Sequence, residues 1–229
     1  MAGLIVQNLC KSYCAEKTKY EVNKNICFSA ARGSFMWIYG NSGAGKSTFL
    51  NIIAGIDTPD SGTVMWDGTA LQTQTAAGRA QFRVAHCGLM FQFFELIKAQ
   101  SVYDNAALPL KIRRKSKKEI DAALLPLFEY FDIKHLVRKK PDQLSGGEQQ
   151  RVSIVRALSV HPDYIIADEI TSSLDLQRSH QVYEYLRRYI KTNNGIGIFV
   201  SHDPVIGAYA DTAYAMQNGN LTEKPFGDT

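Results

Sequence analysis

Residues 40–47, Gly-Asn-Ser-Gly-Ala-Gly-Lys-Ser, constrain the fold of this chain more than any other feature of its sequence. They follow Phe35–Tyr39, an apolar run that predicts a short buried strand. They run into residues 46–54, whose apolar side chains recur at helical spacing and which Gly55 brings to an end. A strand, a glycine-rich loop and a helix in that order form the unit that surrounds phosphate groups with backbone N–H groups. The segment therefore predicts a nucleotide-phosphate site in an α/β fold.

The residue types in this loop suit that chemistry. Glycine lets the backbone wrap closely around a phosphate, and the N-terminus of the helix adds positive potential. Lys46 is expected to reach the terminal phosphates and Ser47 to bind Mg²⁺. A flexible linker is the alternative, which the flanking strand and helix disfavour. The predicted nucleotide-binding residues of the loop are Gly40, Asn41, Ser42, Gly43, Ala44, Gly45, Lys46, Ser47 and Thr48.

A second apolar run, Tyr164–Ala167, predicts a buried strand that ends in two carboxylates, Asp168 and Glu169. Burying acidic groups without a purpose is costly. Asp168 is placed to hold Mg²⁺ through water, and Glu169 to polarise the water that attacks a γ-phosphate. Taken alone, the pair is equally typical of a solvated strand end, but the phosphate loop upstream favours the catalytic interpretation.

Strands and helices alternate along much of the chain, which predicts a parallel sheet with ligands at the carboxyl ends of its strands. From about 101 to 140 the residues are helix formers, which indicates an all-helical insertion. Its basic run, Lys111–Lys118, is interpreted as a solvated helix face, with lipid headgroups or a membrane partner as the alternative contact. The further predicted strands are residues 3–9, 25–31, 62–68 and 196–200, and the further predicted helices are residues 147–160 and 179–191.

Composition excludes several classes of protein. With 229 residues, of which 45% are hydrophobic and 21% charged, the chain resembles one globular domain and not a disordered segment. Its apolar runs are too short for a membrane-spanning helix and its start lacks a secretion signal, so we expect a cytosolic location. A formal charge of +4 is too small to indicate a nucleic-acid partner, but it suits a position beside an anionic membrane leaflet.

The cysteines are too few and too scattered for a disulfide framework. We interpret them as buried small apolar residues. A zinc site of Cys10, Cys14, His86 and Cys87 is disfavoured because no CxxC pair is present. The four cysteines are Cys10, Cys14, Cys27 and Cys87.

Residues 144–151, Leu-Ser-Gly-Gly-Glu-Gln-Gln-Arg, place Ser145 and Gly147 at the predicted start of a helix, which is a second anion site. Two phosphate-binding helix ends far apart in the chain can close on one nucleotide only if two copies pair. A serine-capped helix after a loop is the alternative. The stretch resembles the signature of ATP-binding-cassette (ABC) ATPases, and the resemblance covers essentially the whole chain.

This resemblance implies a P-loop NTPase core with a mainly parallel sheet, an antiparallel β subdomain and an inserted α-helical subdomain. It divides the single domain, residues 1–229, into a RecA-like core at 1–92 and 144–229 and a helical subdomain at about 93–143.

The resemblance also implies roles for individual residues. Tyr13 is similar to the aromatic residue that stacks on adenine, with a half-buried strand tyrosine as the alternative. Gln92 is similar to the glutamine that senses Mg²⁺ and links the core to the helical subdomain, or it is a surface glutamine. His202 is similar to the switch histidine that contacts the γ-phosphate, or it is a structural histidine. Ser172–Asp175 resembles the loop that crosses to the partner subunit. The implied catalytic residues are Glu169, His202, Gln92 and Lys46, and the implied metal ligands are Ser47, Gln92 and Asp168.

Within the family, residues 88–97 and 102–110 resemble the LolD and MacB group, which power lipoprotein release and tripartite efflux. The chain departs from the usual pattern at four positions. Ile170 and Lys98 stand where proline is usual, and Trp37 and Tyr39 are bulky beside the phosphate loop. Because Ile170 follows Glu169, we hypothesise slow or partner-dependent hydrolysis, which a fast basal rate would contradict.

The resemblance implies an ATP-hydrolysing subunit that forms a homodimer around two ATP molecules with Mg²⁺. It would drive an integral membrane permease from the cytoplasmic face of the inner membrane. The alternatives are the ATPase of a small-solute importer, a soluble cassette acting on DNA or ribosomes, and a catalytically inactive regulator. A phosphate-loop kinase or GTPase would leave residues 144–151 unexplained. The sequence does not identify a cargo or a direction of transport.

Overall fold

The computed structural model describes residues 2–15, 18–91 and 94–224, and this part contains ten strands and six α-helices. The strands are β1 (Ala2–Ala15), β2 (Thr18–Ala31), β3 (Phe35–Tyr39), β4 (Ser61–Trp66), β5 (Thr69–Ala70), β6 (Cys87–Met90), β7 (Tyr164–Asp168), β8 (Ile196–Val200), β9 (Thr212–Gln217) and β10 (Asn220–Lys224). The helices are α1 (Lys46–Ile53), α2 (Ala76–His86), α3 (Val102–Ile112), α4 (Lys117–Tyr130), α5 (Gly146–Leu158) and α6 (Leu176–Asn193).

The described strands form two sheets. The larger has the order β10-β9-β3-β8-β7-β6, and its pairs are parallel except for β9 with β10. The smaller has the order β2-β1-β4-β5 and is antiparallel throughout. Strands β3, β8 and β7 are direct neighbours in the larger sheet, so their carboxyl ends lie side by side. This edge is where an open parallel sheet binds its ligands.

Apolar side chains cover both faces of the larger sheet. Successive residues of a strand point to opposite faces, and Ile165 and Ile166 of β7 accordingly belong to different buried clusters. The cluster that contains Ile165 joins the sheet to α3, α4, α5 and α6. The cluster that contains Ile166 joins it to α1 and the antiparallel sheet. The strand ends at the ligand edge are therefore fixed from both sides.

Two polar side chains tie the helical insertion together and to the rest of the chain. Asn105 is completely buried, accepts a hydrogen bond from the Ile97 N–H (2.7 Å) and donates to three backbone carbonyls. Arg113 donates to the carbonyls of Val84, Ala85 and Val160, which belong to the end of α2 and the residues after α5. Side chains thus supply hydrogen-bond partners to backbone groups at both places.

Replacing Asn105 with alanine should strongly destabilise the protein. The change leaves the Ile97 N–H and the carbonyls that Asn105 contacts without this partner, which we expect to cost about 2–4 kcal/mol of unfolding free energy. Urea denaturation followed by circular dichroism measures it. Asn220→Ala, at an exposed position on β10, is the control and should leave the transition midpoint in place. Equal midpoints for the two variants would contradict the role of Asn105.

Most elements near the ligand edge confirm the sequence predictions. Strands β3 and β8 and helix α1 lie where their apolar patterns place them. Helix α2 was not predicted because Phe82 and Val84 are its only large apolar residues, and none of its residues is fully buried. Strands β6, β9 and β10 were also not predicted, and β1, β2 and α6 are longer than expected.

Two interpretations from the sequence are wrong. Cys14 and Cys27 are exposed, because the long hairpin of β1 and β2 has a solvated face; Cys10 is half-buried and Cys87 is buried. The basic run Lys111–Lys118 is not one helix face, because α3 ends at Ile112 and Ser116 caps a new helix, α4. Within the described residues, no helix combines the length and apolarity that crossing a bilayer requires.

Candidate functional site

The glycine-rich loop connects β3 to α1 at the ligand edge of the larger sheet. Gly40 has φ +150°, and a Cβ there would lie 2.1 Å from the Met216 carbonyl oxygen. Gly45, which precedes α1, has φ +103°, and a Cβ there would lie 2.6 Å from the Val22 carbonyl oxygen. Neither contact is compatible with a side chain, so the loop can take this course only with glycine at both positions.

Lys46 is the first residue of α1 and its side chain is almost completely buried. Its Nζ donates to the carbonyl oxygens of Gly40 (2.5 Å) and Asn41 (3.0 Å). Burial lowers the pKa of the Lys46 ammonium, and the carboxylates of Glu169 and Asp168 act in the opposite direction. An ammonium held by carbonyls of its own loop is positioned for phosphate oxygens that enter the loop.

Ser47 and Asp168 bring two side-chain oxygen groups together. The Ser47 hydroxyl donates to Oδ2 of Asp168 at 2.6 Å, and Asp168 is the last residue of β7. Among the described residues no group of three or more His, Cys, Asp and Glu side chains is suited to a metal ion. A hydroxyl and one carboxylate fit Mg²⁺, which is bound by few protein ligands together with phosphate oxygens and water.

Glu169 follows β7 in a left-handed conformation, φ +52°, which is uncommon for a residue with a side chain. Its carboxylate accepts the His202 backbone N–H at 3.1 Å and 3.4 Å, and Nε2 of His202 lies 3.6 Å from it. The side chain of Glu169 is only 14% exposed, and this burial raises the pKa of its carboxyl while the His202 N–H acts in the opposite direction. A proton acceptor in this environment can activate a water molecule.

His202 follows β8 and faces the same space. Its side chain is half exposed, and Nε2 lies 3.3 Å from Nζ of Lys46. The imidazole therefore stands between the ammonium of Lys46 and the carboxylate of Glu169. Ile170, which directly follows Glu169 and departs from the family pattern, is buried in the core.

These residues line one cavity of about 400 Å³ at the carboxyl ends of β3, β7 and β8. Apart from Val22, every residue of the lining belongs to the site that the sequence predicts. The lining residues are Val22, Ser42, Gly43, Gly45, Lys46, Ser47, Thr48, Asp168, Glu169 and His202.

Tyr13 lies outside this lining, on the hairpin of β1 and β2. Its hydroxyl donates to Oδ2 of Asp57 (2.8 Å), while Nζ of Lys11 donates to Oδ1 of the same carboxylate (2.9 Å) and lies 5.1 Å from the Tyr13 ring centroid. Asp57 and Lys11 thus orient the ring, a role that no sequence pattern indicated. Gln92 lies outside the described residues.

Ser145 and Gly147 are also absent from the cavity lining, and they lie at the start of α5. The Ser145 hydroxyl accepts the Glu148 N–H, and the Glu148 carboxylate accepts the Ser145 N–H. A Cβ at Gly147 would lie 3.1 Å from the Ser173 carbonyl oxygen, so this helix end packs against the loop 172–175. The two anion sites predicted from the sequence are therefore separate in one chain.

Comparison with known proteins agrees with this geometry. A model of the ABC transporter family matches residues 23–172, well over half of the chain. Two solved structures of one protein, MJ0796, each have a TM-score of 0.93 and 28% sequence identity, and each match covers 99% of this chain and 100% of theirs. One is described as a dimeric post-hydrolysis state of an ATP-binding cassette bound to ADP and Pi, and the other as a dimeric bacterial ABC transporter cassette.

Proposed function

This chain belongs to the ABC transporter family and has its ATPase fold, and we propose that it is the ATP-hydrolysing subunit of a LolD- or MacB-type membrane system. One observation carries the proposal. Lys46, Glu169 and His202 converge with Ser47 and Asp168 on one cavity at the ends of three adjacent strands.

Each residue of the site has its own role in the proposed hydrolysis of ATP. Lys46 and the N–H groups of its loop bind the β- and γ-phosphates of ATP, and Tyr13 stacks on the adenine. Ser47, Asp168 and Gln92 would hold Mg²⁺, which neutralises charge on the phosphates when bound. The Glu169 carboxylate accepts a proton from the attacking water, and the His202 imidazole contacts the γ-phosphate.

The remaining anion site suggests a homodimer. Ser145 and Gly147 lie at an exposed helix end outside the cavity, and a ligand in the cavity of one copy would meet them on a second copy. The dimeric state of both MJ0796 structures supports this arrangement. Each of the two ATP molecules would then be held by Lys46 of one copy and Ser145 of the other.

A groove on the surface of this protein supports the proposal of a membrane partner. It has a volume of about 310 Å³ and lies between α2 and β6 on one side and α3 and α5 on the other. Arg83 and Arg156 line it, and Arg156 also donates to the carbonyls of Phe94 and Glu95, just after Gln92. We assign the groove to a short amphipathic helix of the permease, whose apolar face would fill it. The apolar residues of this partner groove include Val84, Leu89, Leu108, Pro109, Ile112 and Val160.

The finer assignments rest on the sequence. Residues 88–97 and 102–110 support the LolD or MacB type, and the helical insertion supports a subdomain at about 93–143 beside a core at 1–92 and 144–229. A peripheral position at the cytoplasmic face of the inner membrane follows from the proposed permease.

Affinity purification from detergent-solubilised native membranes tests the proposal. With ATP and Mg²⁺, the Glu169→Gln variant should retain an integral membrane protein in stoichiometric amount. Adding Ile112→Glu should abolish this retention, because a carboxylate would enter the partner groove from a position that is already 56% exposed. Leu125→Glu, at an exposed position on α4 outside the groove, is the matched control.

A partner with few spans and a large extracytoplasmic domain would support the LolD or MacB type. Recovery of only soluble proteins, ribosomes or DNA from well-extracted membranes would overturn the transporter proposal.

A further inference from the structure

Trp37 is one of the bulky residues that distinguish this chain, and the mechanism above does not use it. It lies on β3 with its side chain 6% exposed. Its indole Nε1 donates to the carbonyl oxygen of Ser201 at 3.0 Å. Gly207 lies beside the ring, since a Cβ there would be in ordinary van der Waals contact with the indole at 3.4 Å. The buried Trp37 side chain is therefore fixed to the Ser201 carbonyl by one hydrogen bond.

The peptide that accepts this hydrogen bond also donates a hydrogen bond to Glu169. The Ser201 carbonyl and the His202 N–H belong to the same peptide, and in a planar trans peptide they point in opposite directions. On one side the carbonyl accepts Trp37, and on the other the N–H donates to the Glu169 carboxylate at 3.1 Å. The indole, the peptide and the carboxylate therefore form one continuous chain of hydrogen bonds, in which each bond polarises the next.

Ser201 is held at its other atoms as well. Its N–H donates to the Ile38 carbonyl (3.2 Å), and its hydroxyl accepts the Tyr183 hydroxyl (3.3 Å). Tyr183 is completely buried, and its hydroxyl lies 2.9 Å from Oγ1 of Thr171. The peptide that faces Glu169 is therefore oriented by Trp37 from β3 and steadied by Tyr183 from α6.

We propose that Trp37 is a positioning residue for hydrolysis, with Tyr183 in support: it fixes the Ser201–His202 peptide and through it the carboxylate of Glu169. This rests on the proposed function, because it presumes that Glu169 activates water.

The test compares Trp37→Phe with Trp66→Phe. Both changes remove a buried indole that donates to a backbone carbonyl, since Trp66 donates to the Ile53 carbonyl at 2.8 Å, away from Glu169. We expect Trp37→Phe to lower kcat for ATP about tenfold with KM unchanged, because a bond that orients the reacting group is lost while ATP binding is not. Trp66→Phe should keep the kcat of the unchanged protein.

Single-turnover hydrolysis in the Glu169→Gln background separates positioning from a general structural effect. If Trp37 acts through Glu169, Trp37→Phe should cause no additional loss there. An equal loss in both backgrounds would overturn the proposal, as would a change in KM alone or the same kcat for the two tryptophan variants.

If Trp37→Phe does not fold, Tyr183→Phe removes one hydroxyl and should lower kcat in the same way; an unchanged kcat would overturn the proposal. A Glu169→Gln protein that hydrolyses ATP normally would instead refute the proposed function.

Discussion

The Glu169→Gln variant should lose ATP hydrolysis by at least about 100-fold, since a positioned proton acceptor contributes that much or more to such reactions. Glutamine keeps the shape of the side chain and can still accept the His202 N–H, but it cannot take a proton from water. ATP binding should persist, so a stable ATP-bound dimer is expected to accumulate. Phosphate release and size-exclusion chromatography with ATP and Mg²⁺ measure the two effects.

The control for this variant is Glu184→Gln, at an exposed glutamate on α6. It should hydrolyse ATP at the rate of the unchanged protein. Turnover of the Glu169→Gln variant at that same rate would refute the role of Glu169. The basal rate of the unchanged protein also tests the hypothesis about Ile170, because fast hydrolysis without a partner would contradict it.

Replacing Lys46 with methionine should weaken ATP binding by about 100-fold. The change removes the charge-assisted hydrogen bonds that the ammonium would make to the phosphates, each worth about 1.5–3 kcal/mol, and about 1.4 kcal/mol corresponds to a factor of ten. The fold should survive, because methionine is apolar and the Lys46 side chain is already buried. Titration with a fluorescent ATP analogue measures the affinity.

Lys117→Met is the matched control, since Lys117 is exposed at the start of α4, outside the cavity. Its affinity should equal that of the unchanged protein. If Lys46→Met bound the analogue as tightly as this control, the phosphate-binding role of Lys46 would be wrong.

The parts of the site that could be predicted are those with strong local signals. Gly40 and Gly45 identify a loop that only glycine can form, and the apolar run before Asp168 identifies a strand. Once the strands were expected to be parallel, their carboxyl ends had to meet at one edge, which brings Lys46 and Glu169 together.

Contacts between distant segments could not be predicted in this way. The bond of Trp37 to Ser201 joins residues 164 positions apart, and that of Tyr13 to Asp57 joins residues 44 apart. Neither pair has a spacing that marks it in the sequence. Helix α2 illustrates another limit, because two large apolar residues, Phe82 and Val84, are too few to indicate a helical period in the sequence.

The hydrogen bonds that Arg113 donates to three backbone carbonyls have a mechanical consequence. Val84 and Val160, two of the residues that supply them, also line the partner groove, and Ile112 stands next to Arg113 in the chain. Arg113, which directly follows α3, is thereby bonded to the end of α2 and to the residues after α5, and these hydrogen bonds resist movement of the three segments relative to one another. Lysine would be a poor substitute despite its charge, because a single ammonium lacks the planar fork that spans several acceptors at once. The fold is therefore held rigid at the place where we propose that the permease binds.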